Sequence, residues 1–153
     1  MSLGQAMDLS TACHPDWALV ARFPDRAAAL DRLVDVLGLD LPPALAAGFR
    51  QAIHDRERLT TTALGGGIAI PHARVGGVGA VRIALALALD GVPFEARDGQ
   101  PVRLIAMLMS REEDHAGHLR HLAAVAARLA DRSRRERMFA SPDPAALVRA
   151  FTG

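Results

Sequence analysis

VRIALALAL, Val81 to Leu89, is the stretch on which the fold turns. Its large side chains alternate with Arg82 and three alanines, Ala84, Ala86 and Ala88. A period of two is that of a strand, and here both faces are largely apolar. Such a strand is buried on both sides. VRLIAMLM, Val102 to Met109, repeats the pattern. Between the two, Gly91-Val92-Pro93-Phe94 and Asp98-Gly99 carry the residues of a turn. Strands with two apolar faces need helices on both, which predicts an α/β chain of three layers, α/β/α, around a mixed central sheet.

The flanking sequence supplies those helices. WALVARF, within Pro15 to Phe23, reads as a further strand. Pro24-Asp25 then opens a helix with proline and an acid in its first turn. Leu30, Leu33, Val34 and Leu37 form its stripe, and Gly38 stops it. Pro42-Pro43 starts a second helix through Leu45, Phe49 and Ile53, ending near Arg58. After the strands, His115 to Arg132 turns helical, and two shorter helical pieces follow at 134–140 and 144–151, punctuated by Pro142 and Pro144. Nothing divides residues 1–153 into more than one domain. Residues 1–15 are expected to be irregular or partly vector-derived, and Met1–Met7 carry no weight in the argument.

Composition narrows the function classes. The chain has 153 residues, 50% hydrophobic and 23% charged, with a formal net charge of +1. That profile fits a globular protein and offers no global field for nucleic acid or a membrane surface. The basic run Arg132 to Arg137 reads as a solvated helix face. Cys13, the sole cysteine, forms no intrachain disulfide and has no activating neighbour in sequence. No signal peptide or membrane span is evident, so the cytoplasm is the expected location.

GGGIAIPHAR, Gly65 to Arg74, carries the chemistry. Ile68-Ala69-Ile70 reads as a short strand. Pro71 has no N–H for a central ladder, so the strand should stop there and present His72 at the sheet edge. Gly65, Gly66 and Gly67 let backbone approach a ligand and offer N–H donors to an anion. The segment lacks the Gly-Lys-Ser/Thr of a nucleotide-binding loop and the third glycine of a dinucleotide fingerprint. His118 shares a helix face with Leu122, Val125 and Leu129, so it should point inward and need a polar partner; a backbone group is the plain choice. His115, His118 and His121 have helical spacing, but no acid or cysteine cluster makes a metal site of them. Arg56 and Glu57 read either as a solvated ion pair or, for Arg56, as an anion receiver.

Taken together, Arg56-Glu57, Thr61-Thr62 and Gly65-Gly66-Gly67-Ile68-Ala69-Ile70-Pro71-His72 resemble the enzyme IIA domain of the phosphoenolpyruvate-dependent phosphotransferase system, of the fructose/mannitol/nitrogen-regulatory class. VPFEARDGQPVRLIAMLM, Val92 to Met109, and HLRHLAAVAARLAD, His118 to Asp131, extend the likeness to roughly Val20–Gly153. One departure is Ala63, where the family often has glycine. The resemblance implies the phosphotransferase/anion-transport-protein-like fold. It implies phosphorylation of His72 by an HPr-like phosphocarrier protein, with His118 donating to a phosphoryl oxygen and Arg56 supplying positive charge. Thr62 and the amides of Gly65, Gly66 and Gly67 are candidate further donors. Neither metal nor other cofactor is required. The downstream partner is a IIB domain, in sugar uptake, or a regulatory target protein, with the nitrogen-regulatory branch preferred because the chain carries no IIB, IIC or HPr segment. A homodimer is compatible with this. A binding module that kept the fold and lost the transfer is the competing class, as is, more remotely, a metal-dependent hydrolase.

Overall fold

The computed structural model describes residues 7–153. The expectation of irregular structure over residues 1–15 lies outside that range only for residues 1–6. Within it, chain order is β1 (Cys13–Ala21), α1 (Arg26–Leu37), α2 (Pro43–Leu59), β2 (Ala63–Gly65), β3 (Ile68–Ala69), β4 (His72–Val75), β5 (Arg82–Val92), β6 (Val102–Arg111), α3 (His115–Ala130), α4 (Arg132–Phe139) and α5 (Pro144–Thr152). The first strand begins at Cys13, inside the segment expected to be irregular, and Leu9 and Ala12 ahead of it are buried.

The six strands form one mixed sheet in the order β1-β5-β6-β3-β2, with β4 also on β6. β5 and β6 pair antiparallel at its centre, while β1 runs parallel to β5, and β3 and β4 run parallel to β6. Alternation along β5 sorts its side chains as the sequence pattern requires. Ala84, Ala86 and Ala88 face α1 and α2, with Phe49, Leu33 and Ile105 in the same core. Ile83, Leu85 and Leu87 face the other layer, with Val125, Leu129, Leu147 and Phe151. Helices therefore cover both faces, and each core is apolar throughout.

Helix ends follow local chemistry. Asp25, Asp114 and Asp143 accept from the backbone N–H three residues on, capping α1, α3 and α5. The basic run of α4 is the expected solvated face at Arg132 and Arg137, but not at the two arginines between them. Arg134 donates to the carbonyls of Ala150, Phe151 and Gly153, and Arg135 to those of Leu129 and Ala130. Both satisfy carbonyls that helix C-termini leave unpaired.

The strand breaks at Ile70-Pro71, as expected, between β3 and β4, but pairing with β6 resumes directly after the proline. Ile68 pairs with Leu104, Ala69 with Ile105, and after the proline His72 pairs with Leu108 and Arg74 with Ser110, without a change of register. The reason is that proline lacks only the donor; its carbonyl still accepts from the Leu108 N–H at 2.9 Å. The interruption lies at the sheet's edge, where a lost donor costs little. Among the described residues no helix is long and apolar enough to cross a membrane.

Candidate functional site

The continuous register past Pro71 decides what the site contains. Paired residues of neighbouring strands point to the same face. His72 shares the face of Leu108, which packs under α3, and Arg74 shares that of Ser110. The first turn of α3 lies over the same place and brings in His118. Arg56, from the last turn of α2, reaches the cleft around the open edge. Together His72, Arg74, His118, Arg56 and Glu112 line a cleft of about 470 Å³.

His72 is half-buried, and its Nδ1 lies 2.8 Å from the carbonyl oxygen of Ile70. A carbonyl only accepts, so Nδ1 carries the proton. Nε2 is left with its lone pair. Burial pushes the proton affinity of His72 down, the Ile70 carbonyl acts against this, Arg56 lowers it further and Glu57 raises it. The ring is held neutral, oriented and nucleophilic at one nitrogen.

His118 is 8% exposed and its ring centroid lies 5.5 Å from that of His72. Its Nδ1 lies 2.7 Å from Ser110 Oγ, so its partner is a side chain rather than the backbone group expected. Burial first, then the neighbouring His72 and Arg74, lower its pKa to about 4. Arg56 donates to the carbonyl of Thr60 at 2.9 Å, and Arg74 to that of Glu112 at 3.1 Å. Each contact uses one terminal nitrogen of the fork and anchors the guanidinium beside the cleft. Two cations and a neutral nucleophile beside one carboxylate suit a group that arrives as an anion.

A sequence model of the family described as "Phosphoenolpyruvate-dependent sugar phosphotransferase system, EIIA 2" matches residues 18–152. The chain belongs to this family. The nitrogen regulatory protein of Pseudomonas aeruginosa is 35% identical over 77% of this chain and 77% of its own length. The 2-O-alpha-mannosyl-D-glycerate-specific EIIABC component of Escherichia coli is 31% identical over 95% of this chain. This chain spans 22% of that protein and 20% of a fructose-specific EIIABC relative in Bacillus subtilis. Among solved structures, nitrogen regulatory protein IIA-Ntr of Neisseria meningitidis superposes with a TM-score of 0.85 at 25% identity, covering 94% of this chain and 99% of that one.

In this EIIA chain the cleft unites His72, His118 and Arg56, with His115 also on its wall, and leaves out Thr62 and the three glycines. Thr62 is buried, and both of its donors are taken: the N–H reaches Glu57 Oε2 at 2.8 Å and the hydroxyl Glu57 Oε1 at 2.6 Å. Gly65, Gly66 and Gly67 form the turn between β2 and β3, and none of them lines the cleft. All three have positive φ, from 67° to 88°, which L side chains rarely adopt. The Gly66 N–H goes to Asp98 Oδ2 at 2.8 Å, and the Gly67 carbonyl accepts from Arg103 and Leu104. The glycines serve the turn, and the anion-cradle reading of them is corrected. Glu57, read as one half of a solvated ion pair, is the buried acceptor that ties α2 to the glycine hairpin.

Arg74, Ser110 and Glu112 carry no mark in the sequence that assigns them to the site. The i, i+2 spacing of His72 and Arg74 would have placed them together, had the strand been carried past the proline. His121 donates from Nδ1 to the Gly117 carbonyl at 2.6 Å, while His118 turns to Ser110. Among the described residues no three or more His, Cys, Asp or Glu are arranged to hold a metal ion.

Proposed function

We propose that this EIIA chain is a phosphocarrier whose acceptor atom is His72 Nε2, and that it serves the nitrogen-regulatory branch of the phosphotransferase system. The observation that carries the reading is the Ile70 carbonyl on His72 Nδ1, which leaves Nε2 as the nucleophilic nitrogen of that ring in a cleft with two arginines.

The Nε2 lone pair attacks the phosphorus of an HPr-like phosphohistidine donor. The donor's N–P bond breaks and its electron pair returns to the donor ring. The Nδ1 proton of His72 stays in place, now on a ring bearing positive charge, and its bond to the Ile70 carbonyl strengthens. No proton leaves, so the phosphoramidate keeps its transfer potential and the next acceptor reverses the same step. Arg56 and Arg74 meet the charge of the phosphoryl oxygens as they spread in flight, and His118 donates to one of them; catalysis is positioning plus charge. No metal or cofactor enters this scheme. Leu119, 52% exposed, and Leu122 give the cleft an apolar rim suited to a protein surface. Both exchange partners act in the cytoplasm in this reading.

The full-length likeness to IIA-Ntr supports the regulatory branch. The E. coli and B. subtilis sugar-specific relatives support the alternative, delivery to a IIB domain for sugar uptake. Intact mass after incubation with phosphoenolpyruvate, enzyme I and an HPr-type carrier tests the core claim. One acid-labile phosphoryl group is expected on wild type and none on His72→Ala. Equal labelling of the His72→Ala variant would overturn it. Adding a fructose-class IIB domain then separates the branches, since rapid loss of the label to IIB would favour sugar uptake.

A further inference from the structure

Ser110 is 2% exposed and ends the buried part of β6. Among the described hydrogen bonds its hydroxyl has one partner, His118 Nδ1 at 2.7 Å. A hydroxyl can donate to an imidazole nitrogen or accept from it. These two arrangements are not equivalent here. If Ser110 accepted from an Nδ1–H, its own O–H would have no acceptor among the described groups, and an orphaned buried donor is costly. If it donates, both groups are satisfied and the His118 proton must sit on Nε2. We propose that Ser110 is a positioning residue that fixes His118 in the Nε2–H form, so that the nitrogen left for the cleft is a hydrogen-bond donor.

The consequence for catalysis rests on the phosphocarrier reading; the tautomer itself rests on geometry alone. With Nε2–H, His118 offers a donor to a phosphoryl oxygen held on His72. With the other tautomer it would present a lone pair to the same oxygen, and the contact would turn repulsive. The ring's low proton affinity keeps it neutral at working pH, so one proton must be assigned to one nitrogen, and Ser110 assigns it. Nothing in the sequence marks this residue. Its role depends on β6 placing the hydroxyl beneath the first turn of α3, which Asp114 caps at the Gly117 N–H.

The test is nitrogen NMR of histidine-labelled protein, joined to phosphoryl-transfer kinetics. Wild-type His118 is expected to show a protonated Nε2 and an unprotonated Nδ1. Ser110→Ala, which removes one oxygen and little volume, should bring the Nδ1–H form up to a comparable population. It should also slow transfer to His72 by about tenfold, the factor carried by one hydrogen bond of ordinary strength. Ser110→Thr should restore both. In a His118→Ala background, Ser110→Ala should have no further effect, because it acts through that ring. Wild-type His118 found with its proton on Nδ1 overturns the inference. So does a Ser110→Ala variant that transfers slowly with its tautomer unchanged. Absence of any phosphorylation on wild-type His72 would instead remove the functional reading, and the nitrogen shifts would still decide what Ser110 does.

Discussion

Two buried side chains carry the residue-scale energetics. His118 binds its proton less readily in the folded chain than the ordinary 6.5. As pH falls, the unfolded chain is therefore protonated first. The stability that His118 confers is complete above about 6.5 and is lost as pH drops from there to about 4. The full loss is on the order of 3 kcal/mol, and His72, shifted in the same direction, adds to it. Urea titrations at pH 7 and pH 5 should show wild type losing clearly more stability than His118→Gln. Parallel losses in the two proteins would contradict the shift. Glu57 poses a different problem. It is 5% exposed and accepts both Thr62 donors. Removing it strands a buried N–H and a buried hydroxyl, so Glu57→Ala should cost about 3 kcal/mol, with Glu57→Gln costing less because the amide keeps one acceptor. Denaturant midpoints settle the order of the two.

At the scale of elements, the informative positions are those where local propensity and local geometry disagree. Gly117 lies in the first turn of α3, next to His118. By propensity alone, Gly117→Ala should stabilise a helix by about 1 kcal/mol. A Cβ there would lie 2.0 Å from Asp114 Oδ2, the carboxylate that caps the helix. The cap must give way, and its loss costs about 1 kcal/mol. The two terms offset each other, so Gly117→Ala is expected to leave the melting temperature close to that of wild type rather than raise it, and to slow phosphoryl transfer through displacement of His118. A rise in melting temperature would show that the cap can move at no cost. The same kind of disagreement explains what sequence reading could reach. The α1 stripe and its Gly38 stop were plain, because each depends on residues within a turn of one another, while Asp25, expected in the first turn, stands one residue ahead of it as the cap. The strand after Pro71 was not. A proline argues locally for an ending, which the chain makes, and only the partner strand, which supplies the Leu108 N–H, brings the pairing back beyond it. Likewise three glycines are equally good as a cradle or as a tight turn, and the choice between them lies with Asp98, distant in sequence.

At the scale of the molecule, two cores share one sheet, and each central strand packs into both. This much was readable, since alternation in β5 and β6 is a property of the two segments themselves. His72, His118 and Arg56 were readable as a group only through a whole motif, because α2, the sheet edge and α3 meet in space and not in sequence. What no periodicity announces is the size matching across the β5–β6 pair. Ala84 stands opposite Met107, Ala86 opposite Ile105, and Leu85 opposite Ala106. On the α1–α2 face small residues of β5 meet large ones of β6; at Leu85 the other face reverses the arrangement. Ala86 is fully buried between β1 and β6, in the core that α1 covers. Ala86→Leu adds apolar volume, and by area alone it should stabilise. In a close-packed interior the added methylenes instead force side chains off their rotamers, typically at about 1–3 kcal/mol. Ala86→Leu is therefore expected to unfold at lower denaturant with an unchanged slope, whereas Leu89→Ala, at a position 42% exposed on the same strand, should cost well under that. An Ala86→Leu protein as stable as wild type would mean that α1 can lift from the sheet without penalty, and the three-layer packing would then be looser than its geometry implies.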